Sequence, residues 1–129
     1  MDWTLECSGC GARRGPEGLP TVCDACGAPW LVRYARAIPA ATRAAFAKRP
    51  QTMWRYRELL PLVPGEEPVS LGEGVTPLLP VPRLGERLGF SALWVKDEAV
   101  NPTGSFKARG LSAAITRAVA AGVKRFTLP

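Results

Sequence analysis

Near its start the chain carries two pairs of cysteines, Cys7-x-x-Cys10 and Cys23-x-x-Cys26, with twelve residues between the pairs. No other feature restricts the fold of this stretch as much. Each pair can aim two thiolates at one point, and Gly9, Gly11 and Gly27 permit the tight backbone such knuckles require. Four sulfurs complete a tetrahedral Zn2+ shell with no open position. The spacing therefore predicts a closed, structural, zinc-ribbon-like unit over residues 1–34, with Cys7, Cys10, Cys23 and Cys26 as metal ligands. Two disulfides, a redox pair, or a ribbon without metal are the other uses of the same residues.

Charge narrows the partners. The formal net charge is +6 with neutral cysteines, and four thiolates around Zn2+ reduce it to about +4. The longest basic runs are pairs such as Arg13-Arg14, Lys48-Arg49 and Lys124-Arg125. A phosphate-tracking stripe is absent, which argues against nucleic acid as a partner. The start, MDWTLECSGC, has no leader pattern, and no apolar run approaches the ~20 residues of a membrane span. A cytoplasmic location is expected, where thiols stay reduced and serve metals or catalysis. A stand-alone zinc-ribbon module binding nucleic acid or protein is the reading from a different class.

Residues 39–50, PAATRAAFAKRP, suggest a short helix between prolines, and 52–60 another turn or two. Prolines at 61, 64, 68, 77, 80 and 82 exclude a long helix there. Beyond them Leu84 and Leu88 lie four apart in a short helix that Gly89 can close. SALWVKDE predicts a strand, LSAAITRAVAAG a helix, and VKRFTLP a second strand. Strand, helix, strand is the unit of a parallel α/β sheet with a right-handed crossover. The expected organisation is a cysteine unit (1–34), a helical and proline-rich connector (35–68) and the start of an α/β domain (69–129). One crossover leaves open edges that parallel sheets normally cover, so the chain reads as the front portion of something longer.

Within NPTGSFKARG, residues 101–110, proline fixes φ in a turn, Gly104 frees the backbone, and Thr103 or Ser105 can cap the helix. Lys107 then falls in the first helical turn, where positive partial charge disfavours an ammonium. Flanked by Arg109, such an amine is pushed toward its neutral, nucleophilic form, suited to Schiff-base chemistry beside an anionic cofactor. An ordinary surface lysine is the alternative. Phe106 is either core or a wall beside a flat ring, and Lys96-Asp97-Glu98 is either a solvated rim or part of a site.

The run SLGEGVTPLLPVPRLGERLGFSALWVKDEAVNPTGSFKARG resembles threonine synthase and its relatives among the pyridoxal-phosphate enzymes of the tryptophan synthase β-chain fold (fold type II). The resemblance is firm over residues 70–110 and looser before them. It implies that Lys107, in the SFK motif, carries pyridoxal 5'-phosphate as a Schiff base, and it brings Phe106, Ser105 and Asn101 into the cofactor's surroundings. It also implies an amino-acid substrate, O-phosphohomoserine converted to threonine and phosphate, and a homodimer for the full-length enzyme. Several relatives begin with a cysteine-rich ribbon. The chain departs from the threonine synthase pattern at Ala108, where aspartate is common, and at Ala99, where glycine is. Ala108 brings it nearer the dehydratase-like branches, which eliminate at Cβ and deaminate. A phosphate-holding glycine loop and most of the substrate pocket lie after the lysine in that family. An N-terminal portion, inactive as an isolated chain, is therefore expected.

Overall fold

The computed structural model describes residues 3–35 and 40–128. Pro39, expected to bracket the first helix, lies outside them. Three strands open the chain: β1 (Trp3–Cys7), β2 (Arg13–Arg14) and β3 (Trp30–Tyr34). They form an antiparallel sheet in the order β2-β1-β3, with Leu5 opposite both Arg14 and Val32. The alternation along β1 turns Trp3, Leu5 and Cys7 inward and leaves Thr4 out. On the outer face Glu6 accepts from Arg13 Nε at 2.9 Å and Arg33 Nε at 3.0 Å, tying all three strands by charge.

The connector contains α1 (Ala40–Phe46) and a 3-10 segment, Met53–Leu59. Thr52 caps the latter by accepting from the Trp54 N–H, as its β-region backbone allows. Phe46 and Tyr56 meet edge to face with centroids 5.1 Å apart, and Arg49 grips Glu58 through both nitrogens at 2.7 and 2.6 Å. Met53, Trp54 and Leu62 form the hydrophobic cluster, against which Leu60 and Ala113 pack.

The remainder comprises β4 (Leu78–Pro80), α2 (Pro82–Leu88), β5 (Trp94–Lys96), a 3-10 turn (Glu98–Val100) and α3 (Lys107–Ala120). Helix α2 starts on proline and ends on Gly89 at φ 77°, as the sequence predicts. The expected parallel pair does not form. β5 pairs antiparallel with β4, Leu79 opposite Val95, and residues 123–128 follow α3 without strand pairing. The reason is local: Leu78–Pro80 reaches β5 across one short helix, whereas a two-stranded parallel pair would leave both faces uncovered. The architecture is mixed α/β.

Helix α3 buries small and polar side chains: Ala108, Ser112 and Thr116, four residues apart. Thr116 Oγ1 accepts from the Val69 N–H at 2.9 Å, and Ser112 Oγ donates to the Val69 carbonyl at 2.7 Å. Two hydroxyls thus satisfy both backbone groups of one residue, as a neighbouring strand would. The cysteine unit docks on the other end of the same helix. The Trp3 indole donates to the Leu62 carbonyl at 2.8 Å, and Arg117 bonds both Glu66 Oε1 and the Pro16 carbonyl.

Candidate functional site

The cysteine turns are two copies of one knuckle. Cys7 N–H donates to the Ala12 carbonyl and Gly11 N–H to the Cys7 carbonyl; Cys23 N–H donates to Ala28 and Gly27 N–H to Cys23. Gly11 and Gly27 both adopt φ 72°, which a side chain would strain. The four Sγ atoms lie within 4.8 Å of one another, with Cys7–Cys26 at 3.3 Å and Cys10–Cys23 at 3.7 Å. Those separations exceed the ~2.05 Å of a disulfide and approach the ~3.8 Å edge of a tetrahedron with ~2.3 Å Zn–S bonds. The donor set fits one Zn2+. The N–H groups of Cys10 and Gly9, each 3.4 Å from Cys7 Sγ, prepare that sulfur for a metal by lowering its thiol to about 6. Cys10, although its contact with Ala12 acts downward, is raised to about 11 by the crowding of the other three sulfurs. A cation at the centre relieves that crowding.

At the other end of the molecule Lys107 is the first residue of α3, and its N–H donates to Ser105 Oγ at 3.2 Å. The expected side-chain cap is not found: Phe106 holds the cap position without a capping bond, Ser105 makes only this local contact, and Thr103 is exposed. The turn before it closes through Gly104 N–H to the Asn101 carbonyl at 2.7 Å, with Gly104 at φ 68°. Lys107 is exposed, and among the described residues no carboxylate pairs with its ammonium. Phe106 beside it is 66% exposed, so here it is a wall without a neighbour and not core. Arg109, two residues on, pairs its guanidinium with Glu98.

Asn101 is buried and fully engaged. Its Nδ2 donates to the Glu98 carbonyl at 3.0 Å and to Glu98 Oε2 at 2.8 Å, while Oδ1 accepts from the Gly74 N–H at 3.2 Å. Ser105, Phe106 and Lys107 thus follow one another at the start of α3, Ser105 half-buried and the other two exposed, while Asn101 is buried.

Two carboxylates that the sequence leaves ambiguous or unmarked organise this region. Glu98 accepts from Arg109 Nε at 2.7 Å and Nη2 at 2.8 Å, and from the Thr76 hydroxyl at 2.5 Å. Arg109, then Thr76 and Asn101, hold its carboxyl well below the usual range. Glu73 is 2% exposed and accepts from the Trp54 indole at 2.9 Å, the Ser70 hydroxyl at 3.0 Å and the Leu71 N–H at 2.9 Å. Burial pushes its carboxyl up, but the Ser112 hydroxyl, its own and the Leu71 N–H groups and the Ser70 hydroxyl outweigh it, and the net shift is downward. Its inward turn comes from its neighbours: Gly72, Gly74 and Val75 all have positive φ, at 88°, 118° and 48°.

A helix start presenting an exposed lysine behind a proline-glycine turn is a place where an amine can engage a carbonyl cofactor. The family described as "Pyridoxal-phosphate dependent enzyme" matches residues 69–128, the segment that carries the lysine. More narrowly, the chain is threonine synthase-like. It is 35% identical over 119 residues, 92% of its length, to the threonine synthase of Methanosarcina acetivorans. It is 48% identical over 77 residues to that of Methanocaldococcus jannaschii and 47% over 73 to that of Mycobacterium leprae, covering 60% and 57% of this chain. The chain spans 29%, 19% and 20% of those three relatives' lengths. No solved structure matches it. No helix among the described residues is long and apolar enough to cross a membrane.

Proposed function

We propose that this chain supplies the cofactor lysine of a pyridoxal-phosphate-dependent, threonine synthase-like lyase acting on O-phosphohomoserine in the cytoplasm. The observation that carries the reading is Lys107 itself: exposed, unpaired by any carboxylate among the described residues, and first in α3 just after the Asn101–Gly104 turn. The amine stands where helix N–H groups add positive partial charge, which favours an anionic group beside it. Phe106 and Ser105 would be among the residues that hold the cofactor, with Asn101 setting the loop. When bound, pyridoxal phosphate supplies an electron sink for charge at the substrate Cα. Lys107 would hold the cofactor and would move protons at the substrate Cα and Cβ. The open face around Phe106 supports the further expectation that these residues provide the lysine without the walls of a substrate pocket. Turnover by the 129-residue chain alone is then not expected.

Three units make up this reading: residues 1–34 around one structural Zn2+, a connector over 35–68, and a lysine-bearing segment from 69 of tryptophan synthase β-like kind. The full-length enzyme is proposed to be a homodimer. Ala108 favours a second reading, a dehydratase-like elimination. It is 6% exposed and lines, with Glu73, an apolar cavity of about 70 Å3, where an aspartate would face that carboxylate.

Incubation with pyridoxal 5'-phosphate, reduction with borohydride and peptide mapping test the lysine. Selective labelling of Lys107, lost in Lys107→Ala, is expected. Labelling scattered over Lys48, Lys96 and Lys124 would refute the assignment.

A further inference from the structure

The loop that carries the lysine is held at both ends by one side chain, Glu98, which the sequence leaves between a solvated rim and a site. Glu98 lies just before the loop. Its Oε2 accepts from Asn101 Nδ2 at 2.8 Å, at the loop's first residue, and from Arg109 Nε at 2.7 Å, two residues beyond Lys107. Its Oε1 accepts from Arg109 Nη2 at 2.8 Å and from the Thr76 hydroxyl at 2.5 Å, and Arg109 Nη2 also reaches Thr76 Oγ1 at 3.2 Å. The Glu98 carbonyl takes the Asn101 N–H and Nδ2 as well. One carboxylate therefore joins three pieces of chain: the segment ending in Thr76-Pro77, the start of the lysine loop, and the first turn of α3.

We propose that Glu98 is the positioning residue for Lys107, fixing the span between Asn101 and Arg109 so that the amine is presented at one height and direction. The inference rests on the reading of Lys107 as the cofactor lysine and adds to it a residue that acts through the loop. The Arg109 fork suits the task because two parallel N–H bonds fix orientation as well as distance, which a lysine at 109 could not do. Gly104, exposed and left-handed, gives the intervening turn no side-chain anchor of its own. The loop's geometry is then set from its ends.

The test uses the 129-residue chain, Glu98→Gln, Arg109→Lys and the double variant, with two independent readouts. Amide hydrogen exchange at Gly104 and Lys107 reports whether the loop is clamped; trapped pyridoxal 5'-phosphate at Lys107, relative to Lys48 and Lys124, reports whether the clamp presents the amine. Glu98→Gln is expected to speed exchange at both amides and to cut relative labelling of Lys107 about tenfold, the order lost with one charge-assisted hydrogen bond, with far-UV circular dichroism unchanged. Arg109→Lys should fall between, and the double variant should lose no more than Glu98→Gln alone. A general loosening would alter labelling at all three lysines together. Faster exchange with unchanged Lys107 selectivity overturns the proposal, as does unchanged exchange. Scattered labelling of the unaltered chain refutes the cofactor lysine instead, and exchange still judges the clamp. Should Glu98→Gln not fold, Arg109→Lys carries both readouts.

Discussion

The Arg117 guanidinium carbon lies 5.3 Å from the centroid of the Trp3 ring, which puts the last third of α3 against the first strand of the cysteine unit. The same guanidinium bonds Glu66 and the Pro16 carbonyl. One cation thus gathers the cysteine unit, the connector and the lysine helix. Its side chain is 15% exposed and that of Glu66 8%, so the pair is largely withdrawn from water. Arg117→Ala leaves a buried carboxylate without its cation and opens the contact with Trp3. A loss of about 3 kcal/mol in urea unfolding is expected. Arg33→Ala, at an exposed pair, should cost less than about 1 kcal/mol.

Metal content separates the uses of the four cysteines. One Zn2+ per chain is expected by elemental analysis, abolished in Cys7→Ser and in Cys23→Ser. Chelation should lower the melting temperature and loosen Trp3, because β1 carries Trp3 and Cys7 on the same face. A chain free of metal and equally stable with and without chelator would return the cysteines to another use.

Acid should weaken the fold through Glu73. Its carboxyl sits below the ordinary value of 4.5, so the ionised form is the one the fold prefers. A depressed folded value means the contribution is fully present above about pH 4.5 and is lost as pH falls through that depressed value. Glu73→Gln should therefore be less stable at pH 7 and show a flatter decline of stability as pH falls below about 4.5, read by denaturant titration.

Two glycines in one motif should respond differently to the same change. At Gly74, φ 118°, an added Cβ would meet the Met53 nitrogen at 2.5 Å and the Thr52 carbonyl carbon at 3.0 Å. Backbone cannot swing aside, so Gly74→Ala is expected to cost 3 kcal/mol or more, roughly, and to disturb the Met53 N–H bond to the Glu73 carbonyl. Gly72, φ 88°, has open space around it, and alanine there should cost only the strain of the left-handed backbone, about 1 kcal/mol. Equal melting temperatures for the two variants would contradict this geometry.

What could be read in advance was local. The CxxC turns with their glycines, the start of α3 at Lys107 and the closing of α2 at Gly89 each depend on a few adjacent residues, and each stands where the sequence predicts. Pairing across the chain was not legible. β5 reads as a strand in isolation, but nothing in WVK shows that its partner is Leu78–Pro80 or that the pair is antiparallel. Glu98 sits in a run of mixed charge that resembles a solvated rim; its role depends on Thr76 and Arg109, 22 and 11 residues away. Glu73 carried a usable signal, since a charged residue between two glycines invites the question of why the backbone must twist there. Its indole partner, Trp54, lies in the connector and could not be inferred.

The stripe Ala108, Ser112, Thr116 has a mechanical consequence. A helix held by greasy packing can slide against its support and still bury similar area. This one is held by hydroxyls that meet the N–H and the carbonyl of a single residue, Val69, and a slide of one turn would put Ala108 where a donor is required. The attachment works like a key cut with one notch: it admits one height and rejects the next, about 5.4 Å away. The lysine at the mouth of the helix inherits that indexing.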